Sequence, residues 1–249
     1  MTDLFEGEGP SLSRTSLYDD LVSIGFMPTD IPIHPARALR FESASAPLAV
    51  ELPSSLEDGT DAICPEADIV IDPHCHYLCS DLQSLLERAQ GGLCLCLSTK
   101  RAYRGNTASM FLARLKQRLP SLVQIEESLH LAVHEAVTNA IIHGNLEIES
   151  KDRANLVYFR EYITRLVEKV EHPVFSRKAV ILTAVWSAKS LTIAVEDCGP
   201  GFDPWDIMSR PIPPAATSGR GLGLIRKMSH SIDFALEGRR TEMTFLLPE

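Results

Sequence analysis

From residue 93 onward the apolar positions are periodic, and the period switches between two and nearly four. Leu93, Leu95 and Leu97 alternate with Cys94 and Cys96, which predicts a buried strand over 93–98 with both cysteines on one face. Met110, Phe111, Leu115 and Leu119 recur at helical spacing over 106–119, and Pro120 ends that helix. A second helix is predicted over 121–143, with Ile125, Leu129, Ala132, Val133, Ala136, Val137, Ala140 and Ile141 as its apolar stripe and Gly144 as its C-cap. A third helix over 152–170 would bury Leu156, Phe159, Ile163, Leu166 and Val170. Branched residues over 178–186 and 191–196, joined by a turn at 187–190, predict an antiparallel hairpin. A helix over 219–228 and a last hairpin, 231–236 with 241–247, complete the pattern.

The first 92 residues are less regular. Pro10, Pro28, Pro32, Pro35, Pro47 and Pro53 interrupt any long helix. A short helix over 36–41, an extended segment over 47–52 and a loop over 54–61 are the local expectations. A strand over 67–71, a helix over 81–89 stopped by Gly91-Gly92, and the strand over 93–98 make a strand–helix–strand unit. It forms a small α/β region of its own or pairs with the sheet that follows. The expected division is a regulatory extension over 1–92 and a main domain over 93–249, built as an α/β two-layer sandwich with helices on one face of a mostly antiparallel sheet.

Composition narrows the function classes. The net charge of −9 disfavours nucleic acid as the main partner, which would select a basic surface. No apolar run has the length of a membrane span and the N-terminus has no signal-peptide character, so the expectation is a cytoplasmic protein with reduced thiols. His74, Cys75, His76 and Cys79 are of metal-binding type, but no second pair at zinc-finger spacing follows. A structural or incidental role is the expectation there.

Three polar or glycine-rich segments carry the chemistry. In Glu135-Ala-Val-Thr-Asn-Ala-Ile-Ile-His-Gly144, helical spacing places Glu135, Asn139 and His143 on one face. Asn139 offers a neutral oxygen to a hard cation such as Mg2+, and Glu135 can deprotonate a hydroxyl or a water. Asp197-Cys-Gly199-Pro-Gly201-Phe202 ends a predicted strand; the carboxylate can accept from an amino group such as that of adenine, and the glycines let a flat ring approach the backbone. Gly219-Arg220-Gly221-Leu222-Gly223 opens a helix whose free N–H groups can hold phosphates, with Arg220 adding charge. The proline-rich stretch over 203–217 can close over a triphosphate as a lid. Each segment alone also reads as an ordinary helix face or turn.

Together and in this order the three segments resemble the N, G1 and G2 boxes of the GHKL superfamily. Within it they are most similar to bacterial anti-sigma-factor serine/threonine kinases of the RsbW and SpoIIAB type. The resemblance covers roughly 93–249 and implies a Bergerat-type ATP-binding fold. It implies Glu135 as general base and Asn139 as Mg2+ ligand. It also implies Asp197 as reader of the adenine amino group, glycines 199, 201, 221 and 223 as pocket lining, and Thr244 in the last strand near adenine. The link over 145–177 is longer than in the simplest anti-sigma kinases, and 1–92 match no pattern.

Two functions follow as expectations. One is phosphoryl transfer from ATP to a small regulatory partner, such as a sigma factor or its antagonist. The other is a nucleotide-gated partner-switching module that turns over little ATP. The resemblance allows a homodimer. A Walker A lysine motif and a His-Glu-x-x-His zinc motif are both absent from the sequence.

Overall fold

The computed structural model describes residues 14–23, 26–28, 38–43, 49–53, 68–72, 74–75, 82–89, 91–149, 156–204 and 221–248. Nine strands in these residues form one sheet in the order β1-β2-β3-β4-β5-β6-β7-β9-β8. They are β1 (Phe26–Pro28), β2 (Ala38–Ser43), β3 (Ala49–Pro53), β4 (Ile69–Ile71), β5 (Gly92–Ser98), β6 (Ala179–Trp186), β7 (Ser190–Asp197), β8 (Ser231–Ala235) and β9 (Arg240–Leu246). Only β3–β4 and β4–β5 pair in parallel. The latter pair is joined through helix α2 (Leu82–Ala89), the crossover that parallel strands require.

Strand β5 sits between β4 and β6, so the segment before residue 92 continues the same sheet. The side-chain alternation of β5 divides the protein into two cores. Leu93, Leu95 and Leu97 face the main helical layer, together with Val180, Leu182, Ile193, Val195, Met243 and Phe245. Cys94 and Cys96 face the other way, against Leu85 and Leu86 of α2, Leu21 of α1 (Arg14–Ser23), Ile69 and Ile71. The two-layer sandwich is therefore covered on its second face as well, where α1 and α2 lie.

The main layer contains α3 (Thr99–Arg104), α4 (Thr107–Arg118), α5 (Glu126–Asn139), α6 (Leu156–Glu171), α7 (Pro173–Ser176) and α8 (Gly221–Met228). Asn106 caps α4 by accepting from Ser109 N. The segment predicted as one helix over 121–143 is three pieces. A 3-10 turn spans Pro120–Ile125, α5 follows, and a π-helical turn spans Ala140–Asn145. The π turn is closed by Leu146 N to Ile141 O at 2.9 Å, a five-residue step. Gly144 lies inside that turn and is not a C-cap.

Two other expectations are corrected. Of the segment read as a short helix over 36–41, the described residues 38–41 belong to strand β2, because Ala38 to Glu42 pair along β3. Among the described side chains of α6, Tyr162, Leu166 and Val170 are buried, while Phe159 and Ile163 are 48% and 40% exposed; that of Leu156 lies outside the described residues. The helix turns Lys169 inward instead: its Nζ donates to Leu146 O at 2.7 Å and to Glu147 O at 3.2 Å, and lies over the Phe175 ring. Those carbonyls end the π turn and need donors. Leu166→Ala should accordingly cost about 2–5 kcal/mol of unfolding free energy, and Ile163→Ala less than about 1 kcal/mol. Urea denaturation of the two variants checks this; equal losses would refute the rotation of the helix.

Candidate nucleotide site

The three chemical segments meet along α5 and the π turn. Glu135 and Asn139 are half-buried and point at the start of α8. A Cβ on residue 221 would stand 2.9 Å from Glu135 Oε2 and 3.3 Å from Asn139 Nδ2, so the glycine lets the helix start touch both side chains. Nine residues further on, roughly 13 Å along the axis at the helical rise, Gly144 touches the segment after β7. A Cβ there would be 2.3 Å from Asp197 Cγ, and one on Gly199 would be 2.4 Å from Gly144 O. The site thus has a polar end at Glu135, Asn139 and Gly221 and a carboxylate end at Gly144, Asp197 and Gly199.

The turn after Asp197 is fixed by a second turn. Gly201 has φ +76, a conformation that an L side chain rarely adopts. A Cβ on it would meet Glu237 O at 2.2 Å. Phe202 N donates to Glu237 O at 3.0 Å, and the Phe202 ring meets Phe234 edge-on at 5.5 Å between centroids. The segment between β8 and β9 is therefore the support of the glycine turn as well as a strand connection.

Asn145 is the residue that the sequence reading missed. It is fully buried and makes three side-chain hydrogen bonds. Its Nδ2 donates to Thr99 Oγ1 and Ala179 O, both at 2.8 Å, and its Oδ1 accepts from Cys198 N at 2.7 Å. One amide ties the end of the π turn to the start of α3, the start of β6 and the residue next to Asp197. The only sequence signal was a polar residue after His143-Gly144, and its partners lie 34 to 53 positions away.

Asp197 is buried, and desolvation pushes its carboxyl up to about 7 despite the Gly199 N–H that donates to Oδ1 at 2.8 Å. Lys178 and Arg239 pull in the opposite direction, and Glu196 adds to the rise. A carboxyl so placed gains most from a ligand that brings its own donor.

Other predicted residues are placed differently. His143 lies in the π turn and is exposed, and its Nδ1 is 2.6 Å from Ile148 O. Thr244 lies on the opposite face of the sheet from Asp197. Met243 and Phe245 of β9 face the helical core, so Thr244 between them points away, and its Oγ1 is 3.3 Å from Thr192 Oγ1. Thr241, opposite Val195 in the ladder, has the helix-facing parity. Leu222 packs against the main core, and Gly223 is exposed on α8. Gly219 and Arg220, and the lid region from 205 on, lie outside the described residues. So do His76 and Cys79 of the His-Cys cluster. Cys75 is buried in the second core, and no group of three metal-ligating side chains exists among the described residues.

A family description, histidine kinase-like ATPase domain, matches residues 100–245. The chain belongs to this family. A comparison with curated proteins found no match. Membership of this family implies ATP binding, and all of Glu135, Asn139, Gly144, Asp197, Gly199 and Gly221 lie within the matched residues. No helix among the described residues is long and apolar enough to cross a membrane.

If Asp197 receives the adenine amino group, nucleoside binding requires its ionised form. The free carboxyl is mostly protonated below pH 7 and ionised above it. Adenosine, which has no phosphate to titrate, should bind about tenfold more tightly at pH 8 than at pH 6, and Asp197→Asn should remove that dependence. NMR titration at the two pH values reads it; a pH-independent affinity would exclude this role. Gly199→Ala, which drives a methyl into backbone, should destabilise the protein by about 1–3 kcal/mol in thermal unfolding.

Proposed function

We propose that this ATPase domain is a serine/threonine protein kinase, which transfers the ATP γ-phosphoryl group to a small regulatory protein in the manner of anti-sigma-factor kinases. The observation that supports the reading is the placement of Glu135 one turn before Asn139, with both side chains against Gly221. A domain that only bound nucleotide would have no use for a carboxylate beside the phosphate end.

The residues present suit the chemistry. Asn139 Oδ1 is a hard, neutral oxygen, suited to a Mg2+ ion that takes its other ligands from the triphosphate and water. When bound, that ion would neutralise charge on the transferred group. Helix α8 begins at Gly221, beside the Glu135 and Asn139 side chains, and its opening amide N–H groups would stabilise the phosphates. Glu135 takes the proton from the partner's serine or threonine hydroxyl as its oxygen bonds to the γ-phosphorus. The bond from that phosphorus to the bridging oxygen breaks in line, and ADP leaves. The partner is a sigma-factor antagonist, a sigma factor or a similar regulator. The net charge of −9 is compatible with a partner that carries a basic docking face.

Glu135→Gln should slow phosphoryl transfer by at least about 100-fold while leaving ATP affinity within about threefold. Incubating the full chain with γ-labelled ATP, Mg2+ and candidate antagonist proteins measures transfer; calorimetry measures binding. Transfer that persists in Glu135→Gln would remove the assigned base. ATP turnover to free phosphate with no labelled hydroxyl in any partner would replace the kinase by a simple ATPase.

A further inference from the structure

Glu196 is 1% exposed and stands on β7 one position before Asp197. Ile193 and Val195 face the helical core, so alternation turns Glu196 to the other face of the sheet. Asp197 returns to the helical face, where it meets Gly144. Two arginines converge on one oxygen of Glu196. Arg88 Nη1 donates to Oε2 at 3.0 Å, and Arg240 Nη1 reaches the same atom at 3.3 Å. Arg240 divides its charge between two carboxylates, because its Nε donates to Glu242 Oε1 at 2.6 Å.

The two arginines differ in origin. Arg240 opens β9, inside the segment matched to the ATPase family, whereas Arg88 comes from α2, ahead of it. Leu85 and Leu86 seat α2 in the second core against Ile69, Ile71, Cys94 and Cys96. Arg88 follows Leu85 by three positions and so lies on the same side of the helix. The packing of α2 on β4 and β5 thus carries the guanidinium to Glu196.

Glu196 and Asp197 are consecutive buried carboxyls, so the ionisation of one opposes that of the other. A cation held against Glu196 relieves that opposition. Lys178 and Arg239 are the other charges that act on Asp197, and Gly199 N donates to its Oδ1. Cys94 of β5, the titratable group that senses both Arg88 and Glu196, is kept neutral by burial.

We propose that Arg88 is a positioning residue for the nucleotide site: held against Glu196, it keeps Asp197 able to accept from the base, so that a helix ahead of the family segment sets nucleotide affinity. The proposal rests on the assignment of Asp197 to the adenine amino group.

The test is the titration of the Asp197 carboxyl carbon, read by NMR in the nucleotide-free full chain, with adenosine affinity measured at pH 7 and pH 9. In Arg88→Gln the Asp197 midpoint should rise by about one pH unit. Adenosine should then bind about fivefold more weakly at pH 7 and nearly as before at pH 9. Arg88→Lys, which keeps the charge, should restore most of both. Glu196→Gln should lower the midpoint, and it carries the test by itself if Arg88→Gln does not fold. Loosened packing would admit water and lower the midpoint in either variant, so the opposite signs separate the charge of Arg88 from its packing. A midpoint unmoved or lowered in Arg88→Gln, or raised in Glu196→Gln, would overturn the positioning role alone. A midpoint that rises in Arg88→Gln with adenosine affinity unchanged would overturn the adenine assignment, and the positioning role with it.

Discussion

The close approach of backbone at Gly144 to the turn at Asp197 and Gly199 governs the rest of the site. The π turn delivers Gly144 to van der Waals distance of the carboxylate, and two missing side chains make the distance attainable. Glycine alone permits the approach without holding it. The holding force is the neighbouring Asn145, whose three hydrogen bonds are buried and hard to replace. With that contact set, α5 is fixed along the sheet, and Glu135 and Asn139 fall opposite the start of α8.

The second core gives the sheet what a lone sandwich lacks. Glu196 is almost fully buried next to Asp197 and receives Arg88 Nη1 from α2 at 3.0 Å and Arg240 Nη1 at 3.3 Å. A carboxylate buried there without both arginines would repel Asp197 and raise its proton affinity further. The helix on the far face of the sheet therefore contributes, through Arg88 and Glu196, to the electrostatics around Asp197.

Much of this was legible in the residues because helical and strand periods are local. The spacing of Glu135 and Asn139 needs only one turn of helix, and the alternation of Leu93 to Leu97 needs only one strand. The glycine segments were legible because few other side chains tolerate such approach or φ. The failures are of the opposite kind. Thr244 and Thr241 differ by an odd number of positions, so which one faces the helices depends on a strand register that pairing with β7 decides. The change of helix type at Ala140, which takes Gly144 inside a π turn, is announced by no single residue. Ala38 to Ser43 has mixed propensity and became a strand through pairing with β3. The role of Asn145 depends on three distant segments at once.

The match to the ATPase family begins at residue 100, two positions after strand β5 has ended. Yet β5 pairs with β6 along its whole length, from Gly92 opposite Val185 to Ser98 opposite Ala179. A fragment trimmed to the family boundary would bare an apolar edge of seven residues in the middle of the sheet, ready to template onto another copy. Its self-association would then come from the cut and say nothing about the intact chain. The sheet that carries the site therefore starts ahead of the segment matched to the family.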